Sequence, residues 1–339
     1  MTTLQIIWFL MLGLVLAIYA ILDGFDLGVG FWSMFSKKDE EKRVMLNSIG
    51  PVWDGNEVWL VTAGVVMFAA FPPVYAAVFS GMYLAIMLLL VALIARAVSI
   101  EFRSQVETPK WRAGWDWAFG LGSTVAIVLF GVALGNMLHG FPLDANGDYT
   151  GGFFDLLNPY SLLIGVLGLA MLATHGALWV SLKASGELEE KARIWASRAW
   201  IAYAALWALA AVFTALTHRY LLDNYLYWPA LFAIPVATAA AIGAVRLLIA
   251  KRLVLPAFLV SSVAIAGHLA MVGASLFPNI VYSRGSPENS LSLSSAASSD
   301  YALTVILIVV GLGLPLVLAY HVFVYRSFRG KVKSEHFLY

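Results

Sequence analysis

Long apolar runs separated by short polar clusters set the pattern of this chain, and nine of them recur near residues 6–35, 51–71, 74–103, 117–140, 160–183, 197–217, 225–249, 254–276 and 301–325. Each suffices for a bilayer crossing, which takes about 20 residues of helix. The runs show no alternation of apolar and polar residues, so helices rather than strands are predicted. The fold class is all-α: a polytopic membrane protein with nine transmembrane helices, forming one integral membrane domain over 1–339. An odd number of crossings places the termini on opposite faces.

Positive charge gives the orientation. Of 21 Lys and Arg residues, only Arg219 and Arg284 fall in the even-numbered loops. Lys37, Lys38, Lys42 and Arg43 occupy the first loop, Lys110 and Arg112 the third, Lys183, Lys191, Arg193 and Arg198 the fifth, and Lys251 and Arg252 the seventh. Arg326, Arg329, Lys331 and Lys333 form the tail. Basic loops stay on the cytoplasmic side, so the N-terminus is expected outside and the C-terminus in the cytoplasm. Arg96, Arg103 and Arg246 are read as helix-end residues whose long stems snorkel to that surface. The first run has no basic stretch before it and leads into two aspartates, so it is expected to remain as a span. The Ser-rich segment from Ser283 to Asp300 shows no apolar period and is expected to be a mobile outer loop.

Composition narrows the function. At 61% hydrophobic and 12% charged residues, the chain has too little polar surface to cover a soluble globule of 339 residues. Its basic residues lie in short loops and orient helices, which disfavours nucleic-acid binding. Cysteine is absent, which removes disulfides, iron-sulfur clusters and thiolate-ligated haem and leaves His, Met and carboxylates as metal ligands.

Four carboxylates lie inside the apolar runs, where each costs on the order of 2.5–3.5 kcal/mol by insertion scales and needs a partner, water or a task. Asp23 and Asp26 fall roughly 25–30 Å along the inward first span, and Asp54 and Glu57 roughly 5–10 Å into the outward second. All four share a depth near the inner face. Each pair is spaced i, i+3 and shares a helix face, so the pairs can oppose each other across a hairpin as a proton-holding cluster. Helix capping is the alternative for Asp54 and Glu57. For Asp23 the alternative is a structural hydrogen bond to Trp53, Asn47 or Asn56.

The histidines do not pair for haem. His139 and His218 fall at the outer boundary and His336 in the tail. His175 lies roughly 22 Å from the outer surface, His268 roughly 8 Å below it, and His321 about 8 Å deeper than His175. Gly-rich stretches at Gly24 to Gly30 and Gly131 to Gly135 lack a phosphate-loop Lys and are read as sites of close helix approach.

At several of these residues the chain resembles subunit II of the cytochrome bd quinol oxidases. Asp23-Gly24-Phe25-Asp26-Leu27-Gly28-Val29-Gly30 is similar to the family's first-helix signature. Asn47-Ser48-Ile49-Gly50-Pro51, leading to Trp53-Asp54-Gly55-Asn56-Glu57-Val58-Trp59-Leu60, is similar to its second. Phe71-Pro72 with Val74-Tyr75, Trp115-Asp116-Trp117, Gly135-Asn136, Leu157-Asn158-Pro159 and the terminal Leu338-Tyr339 extend the resemblance along the chain.

The resemblance implies two four-helix bundles plus a peripheral helix, and a larger partner, subunit I, that binds two haem b and one haem d. This chain would ligate none of them and bind no metal. The complex would oxidise quinol and reduce oxygen in the inner membrane without pumping, drawing protons from the cytoplasm. Asp54 would lie on the proton path with Asp23 and Asp26 as neighbours, and Trp59 near an oxygen route. Glu57 replaces the Gln of other members and either extends the path or forms a salt bridge. A structural quinone and a small single-helix third subunit accompany some members. A proton-coupled secondary transporter is the alternative function.

Overall fold

The computed structural model describes residues 1–332; Lys333, His336 and Leu338-Tyr339 lie outside the described residues. Thirteen α-helices follow one another among the described residues: α1 Thr3–Ser33, α2 Asp39–Ile49, α3 Trp53–Ala70, α4 Pro72–Gly81, α5 Tyr83–Phe102, α6 Pro109–His139, α7 Pro159–Lys183, α8 Gly186–Thr217, α9 Asp223–Tyr227, α10 Ala233–Ala250, α11 Val254–Leu276, α12 Leu293–Ala296 and α13 Asp300–Ser327. Among the described residues eight helices are long and apolar enough to cross a bilayer, with α10 counted from Pro229. The expected second span, α3, is not one of them. Its first turn, Trp53 to Glu57, is polar, and Val58 to Ala70 covers only roughly 20 Å at 1.5 Å per residue.

Local chemistry sets the boundaries. Thr2 and Gln5 form a reciprocal cap at the start of α1, Asn158 and Ser299 cap α7 and α13, and Pro occupies the first turn of α4, α6 and α7. Gly140, at φ 84°, ends α6 in a conformation that L side chains rarely adopt. The expected third span breaks into α4 and α5 at Met82. A Cβ on neighbouring Gly81 would stand 2.8 Å from the Tyr149 ring, so an inserted aromatic accompanies the break.

Two connecting segments carry structure that the apolar runs did not mark. In the first loop, residues 39–49 form an amphipathic helix with acids in its first turn, and Met45, Leu46 and Ile49 pack on Phe25, Trp179 and Val180. The Ser-rich segment, expected to be a mobile loop without apolar period, holds regular elements and core contacts. There β1 (Asn279–Val281) pairs antiparallel with β2 (Leu291–Ser292), and Leu293 and Ala296 of α12 are buried in the core at that end.

The odd-numbered loops and the tail converge. Lys38 pairs with Glu187 at 2.5 Å, Arg103 with Asp39 at 2.6 Å and Asp116 at 2.6 Å, Arg252 with Glu190 at 3.8 Å, and Lys331 with Glu189 at 2.5 Å. Arg103 therefore does not snorkel; it is 2% exposed between two carboxylates.

Burial alone would raise the Asp39 carboxyl, but the Arg103 hydrogen bond and charge, with Arg112 and Arg43, hold it below its ordinary 3.8. Burial likewise acts upward on Glu41, and Lys191, Ser36 and Lys38 outweigh it, holding Glu41 below 4.5. A lowered folded-state value means stability that is complete above the ordinary value and lost as pH falls through the lowered one. Melting temperatures of the purified protein are therefore expected to drop as acidification passes these values. An Asp39→Asn, Glu41→Gln double variant should show a shallower drop, and an equally steep one would refute the assignment.

Candidate functional site

The first helix is built to approach its neighbours closely. On α1, a Cβ at Gly28 would stand 2.8 Å from Gly176 Cα on α7, and one at Gly24 would stand 2.9 Å from the Leu172 side chain. Gly131 and Gly135 of α6 meet Gly165 and Ser161 of α7 in the same way, each at 2.6 Å from a Cα. Small residues thus bring α1 and α6 onto α7, as the Gly-rich stretches imply. This contact fixes the face of α1 that carries Asp23 and Asp26.

Both aspartates are fully buried. Arg96 of α5 donates through both terminal nitrogens to Asp23, Nη1 to Oδ2 at 3.1 Å and Nη2 to Oδ1 at 2.5 Å. It is itself 0% exposed, which corrects its reading as a snorkelling helix-end residue. It also answers the question of Asp23's partner: none of Trp53, Asn47 or Asn56 fills that role. Asn56 instead donates its Nδ2 to Asp26 Oδ2 at 2.7 Å, while its Oδ1 accepts from Tyr325 of α13 at 2.8 Å.

The charge balance is uneven. One guanidinium serves two carboxylates, with Asp26 Oδ2 4.0 Å from Arg96 Nη2, and Asp26 Oδ1 has no hydrogen-bond partner among the described residues. A charge at such depth is expensive unless paired. With both carboxylates ionised the pocket would carry one negative charge more than Arg96 neutralises, and a single proton would balance it.

The second pair does not mirror the first. Glu57 is half-buried and within electrostatic reach of Arg96, Asp23 and Asp54, whereas Asp54 is exposed on a face of α3 that also presents Val58, Val61 and Val65. The structure thus brings Asp23, Asp26 and Asn56 together, sets Glu57 beside them and points Asp54 out of the chain. Trp59 is 2% exposed and packs with Val15, Tyr19 and Ala63; its Nε1 donates to His321 Nε2 at 3.1 Å.

Arg96, Tyr325 and the His321 contact were not foreseen. A signal for Arg96 existed: it is a cation well inside an apolar run, and a buried cation requires an anion at its own depth. Tyr325 and His321 lie more than 260 positions from their α3 partners, and no spacing rule reaches that far.

The other histidines are engaged locally. His175 stacks on Phe258, with its Nδ1 2.6 Å from Ser261 Oγ and its Nε2 3.1 Å from the Ile21 carbonyl. His268 donates Nδ1 to the Ala264 carbonyl at 2.7 Å, and the Tyr203 ring lies 5.7 Å from its own. Both ring nitrogens of His175 are engaged, whereas His268 Nε2 has no hydrogen-bond partner among the described residues. His139 Nδ1 and His218 Nε2 are 2.8 Å apart, and Arg284 donates to His139. Burial and the Arg284 charge hold His218 below its ordinary value. Among the described residues no three His, Asp or Glu side chains are grouped to hold a metal ion.

Comparison with known proteins identifies the relatives. Residues 4–328 match the profile of the family described as cytochrome bd terminal oxidase subunit II. The cytochrome bd-I ubiquinol oxidase subunit 2 of Escherichia coli is 36% identical over 368 residues, covering 98% of this chain and 96% of that protein. A probable cytochrome oxidase subunit 2 of Haemophilus influenzae is 35% identical, with 99% and 98% covered. The cytochrome bd ubiquinol oxidase subunit 2 of Bacillus subtilis is 33% identical, again with 99% and 98% covered. In fold, the chain is similar to one in the structure of bd oxidase from Geobacillus thermodenitrificans, with a TM-score of 0.77 and 21% identity over 96% of this chain and 99% of that one.

Proposed function

This chain belongs to the cytochrome bd terminal oxidase subunit II family, and from that premise we propose that it is the haem-free subunit of a quinol oxidase that conducts cytoplasmic protons toward the oxygen-reducing site. The haems, two b and one d, supply quinol oxidation and oxygen reduction and are assigned to the partner subunit I. This chain contributes its own carboxylates.

The observation that carries the reading is the buried Asp26, with one oxygen lacking a partner beside a cation already committed to Asp23. A site short of one positive charge in a low-dielectric interior is built to take a proton. Glu57 links it to Asp54, and Asp54 lies on an otherwise apolar outward face of α3. In lipid that carboxylate would be costly, so this face is where subunit I docks and where Asp54 meets water along the seam. Glu57 extends the path rather than closing a salt bridge; no ion pair joins it to a Lys or Arg among the described residues, where the closest charge relations are electrostatic.

The convergence of the odd loops and tail through ion pairs supports a cytoplasmic position for that end, with α3 completing nine crossings, the N-terminus outside and the protein in the inner membrane. Turnover is then electrogenic without pumping, because the protons that form water enter from that side. Trp59 fills the core between α1, α3 and α13 near the route we assign to oxygen. A structural quinone and a small third subunit remain compatible with the exposed apolar faces.

The test is Asp54→Asn in the assembled two-subunit complex. Oxygen consumption with saturating quinol is expected to slow severalfold while the haem absorption spectrum stays unchanged. A wild-type rate in a spectrally intact complex would remove Asp54 from the path.

A further inference from the structure

The seam between α3 and α13 holds a second group of polar side chains that the Asp54 route does not use. His321 sits on α13 over the first turns of α3, where a Cβ on Gly55 would be 3.8 Å from its Nε2. Beside it is a narrow cavity with room for about one water, lined by Pro51, Val52, Gly55, His321, Val324 and Tyr325. Tyr325 connects this cavity inward, because its hydroxyl donates to Asn56 and Asn56 holds Asp26.

The surroundings of the imidazole suit two protonation states. His321 Nδ1 donates to the Val317 carbonyl at 2.9 Å. Its Nε2 faces both a donor, Trp59 Nε1 at 3.1 Å, and an acceptor, the Gly55 carbonyl at 3.2 Å. A neutral ring accepts from Trp59; a protonated ring donates to Gly55. Each protonation state thus gives Nε2 one partner, and in the protonated state the Trp59 N–H, a donor facing a donor, turns to the cavity water instead.

Resting on the proton-path reading above, we propose that His321 is a second proton-accepting residue, which loads protons from the α3–α13 seam for delivery to Asp26. A proton arriving from water bonds to Nε2, and the hydrogen bond accepted from Trp59 is replaced by one donated to Gly55. The same proton then passes to water in the cavity as the Trp59 bond re-forms; that water protonates the Tyr325 hydroxyl, which lines the cavity, and the hydroxyl releases its own proton to the unpartnered Oδ1 of Asp26. No electron moves. Asn56 positions Asp26 and does not itself carry the proton, since an amide is a poor relay. The titratable groups on the elements packed about His321 are Tyr320, Tyr325 and Arg326 on α13, with Asp300 and Tyr301 at its far end, Asp54 and Glu57 on α3, and Tyr19, Asp23 and Asp26 on α1.

His321→Gln decides the matter. A glutamine offers an acceptor to Trp59 and a donor to Gly55 but does not titrate. In the purified two-subunit complex with normal haem spectra, oxygen consumption at saturating quinol is expected to fall severalfold, most steeply at the alkaline end of a profile over roughly pH 6–9, where protons are scarce. His321→Ala should recover part of that rate on addition of free imidazole. Wild-type turnover of His321→Gln across the profile would overturn the inference. If Asp54→Asn is slow in that same case, the path to Asp26 stands without the seam; if Asp54→Asn and Asp26→Asn are also fast, the proton-path reading itself falls.

Discussion

Replacing Arg96 by Gln is expected to lose about 3–5 kcal/mol of stability, the cost of leaving a buried ion without its partner, and with it most of the assembled complex in the membrane. The reason is the bidentate geometry: both terminal nitrogens are committed to Asp23, all groups are inaccessible to solvent, and Asp26 lies 4.0 Å from the same guanidinium. Removing the cation leaves two carboxylates facing each other in an apolar interior. Arg96→Lys keeps the charge but loses the fork, and is expected to fall between wild type and Gln. Adding Asp23→Asn to Arg96→Gln should restore part of the loss, because the pair then becomes neutral and can hydrogen-bond. The amount of complex extracted from membranes and its melting temperature check all three. An Arg96→Gln complex that melts with wild type would show that the pair contributes nothing.

That single contact also marks how far the sequence could be read. The apolar runs located the long helices to within a turn at most ends, because hydropathy over about 20 residues reports a physical requirement of the bilayer. Asp23 and Asp26 were legible as intramembrane acids in need of partners for the same reason, and the fold buries both beside Arg96 and Asn56. What hydropathy does not give is the direction in which a residue points. Asp54 and Glu57 share a helix face by spacing, yet spacing does not say whether that face meets α1 or the outside, and Asp54 turned outward. Arg96 was placed at a helix end because it lies within two turns of the Lys- and Arg-rich side. Its true depth followed only from the packing of α5 against α6 and α1. The α2 helix was legible in principle, as Met45, Leu46 and Ile49 recur at helical spacing behind three acids, but the density of charge there read as loop. The strand pair near Val281 is held by partners supplied from elsewhere in the fold, including the bond from Phe141 to the Tyr282 carbonyl.

The aspartates stay in register with Arg96 only if α1 lies hard against α7, and the residue that permits this is Gly28. A side chain there would run into backbone, with Gly176 Cα at 2.8 Å and its N at 3.0 Å from the first added carbon. Backbone cannot rotate away as a flexible side chain can, so the helices must separate. Gly28→Val is therefore expected to cost at least the roughly 1–3 kcal/mol typical of overpacking, and to displace α1 relative to the Arg96 side chain. Gly13, on the same helix, has nothing within 4 Å of an added Cβ, so Gly13→Val supplies the control for helix propensity and β-branching. The expected result is a complex with Gly13→Val that melts near wild type, and one with Gly28→Val that melts well below it and turns over slowly even where assembled. Equal melting of the two variants would mean that the Gly28–Gly176 contact does not set the position of α1. The buried carboxylates would then owe their placement to Arg96 and Asn56 alone.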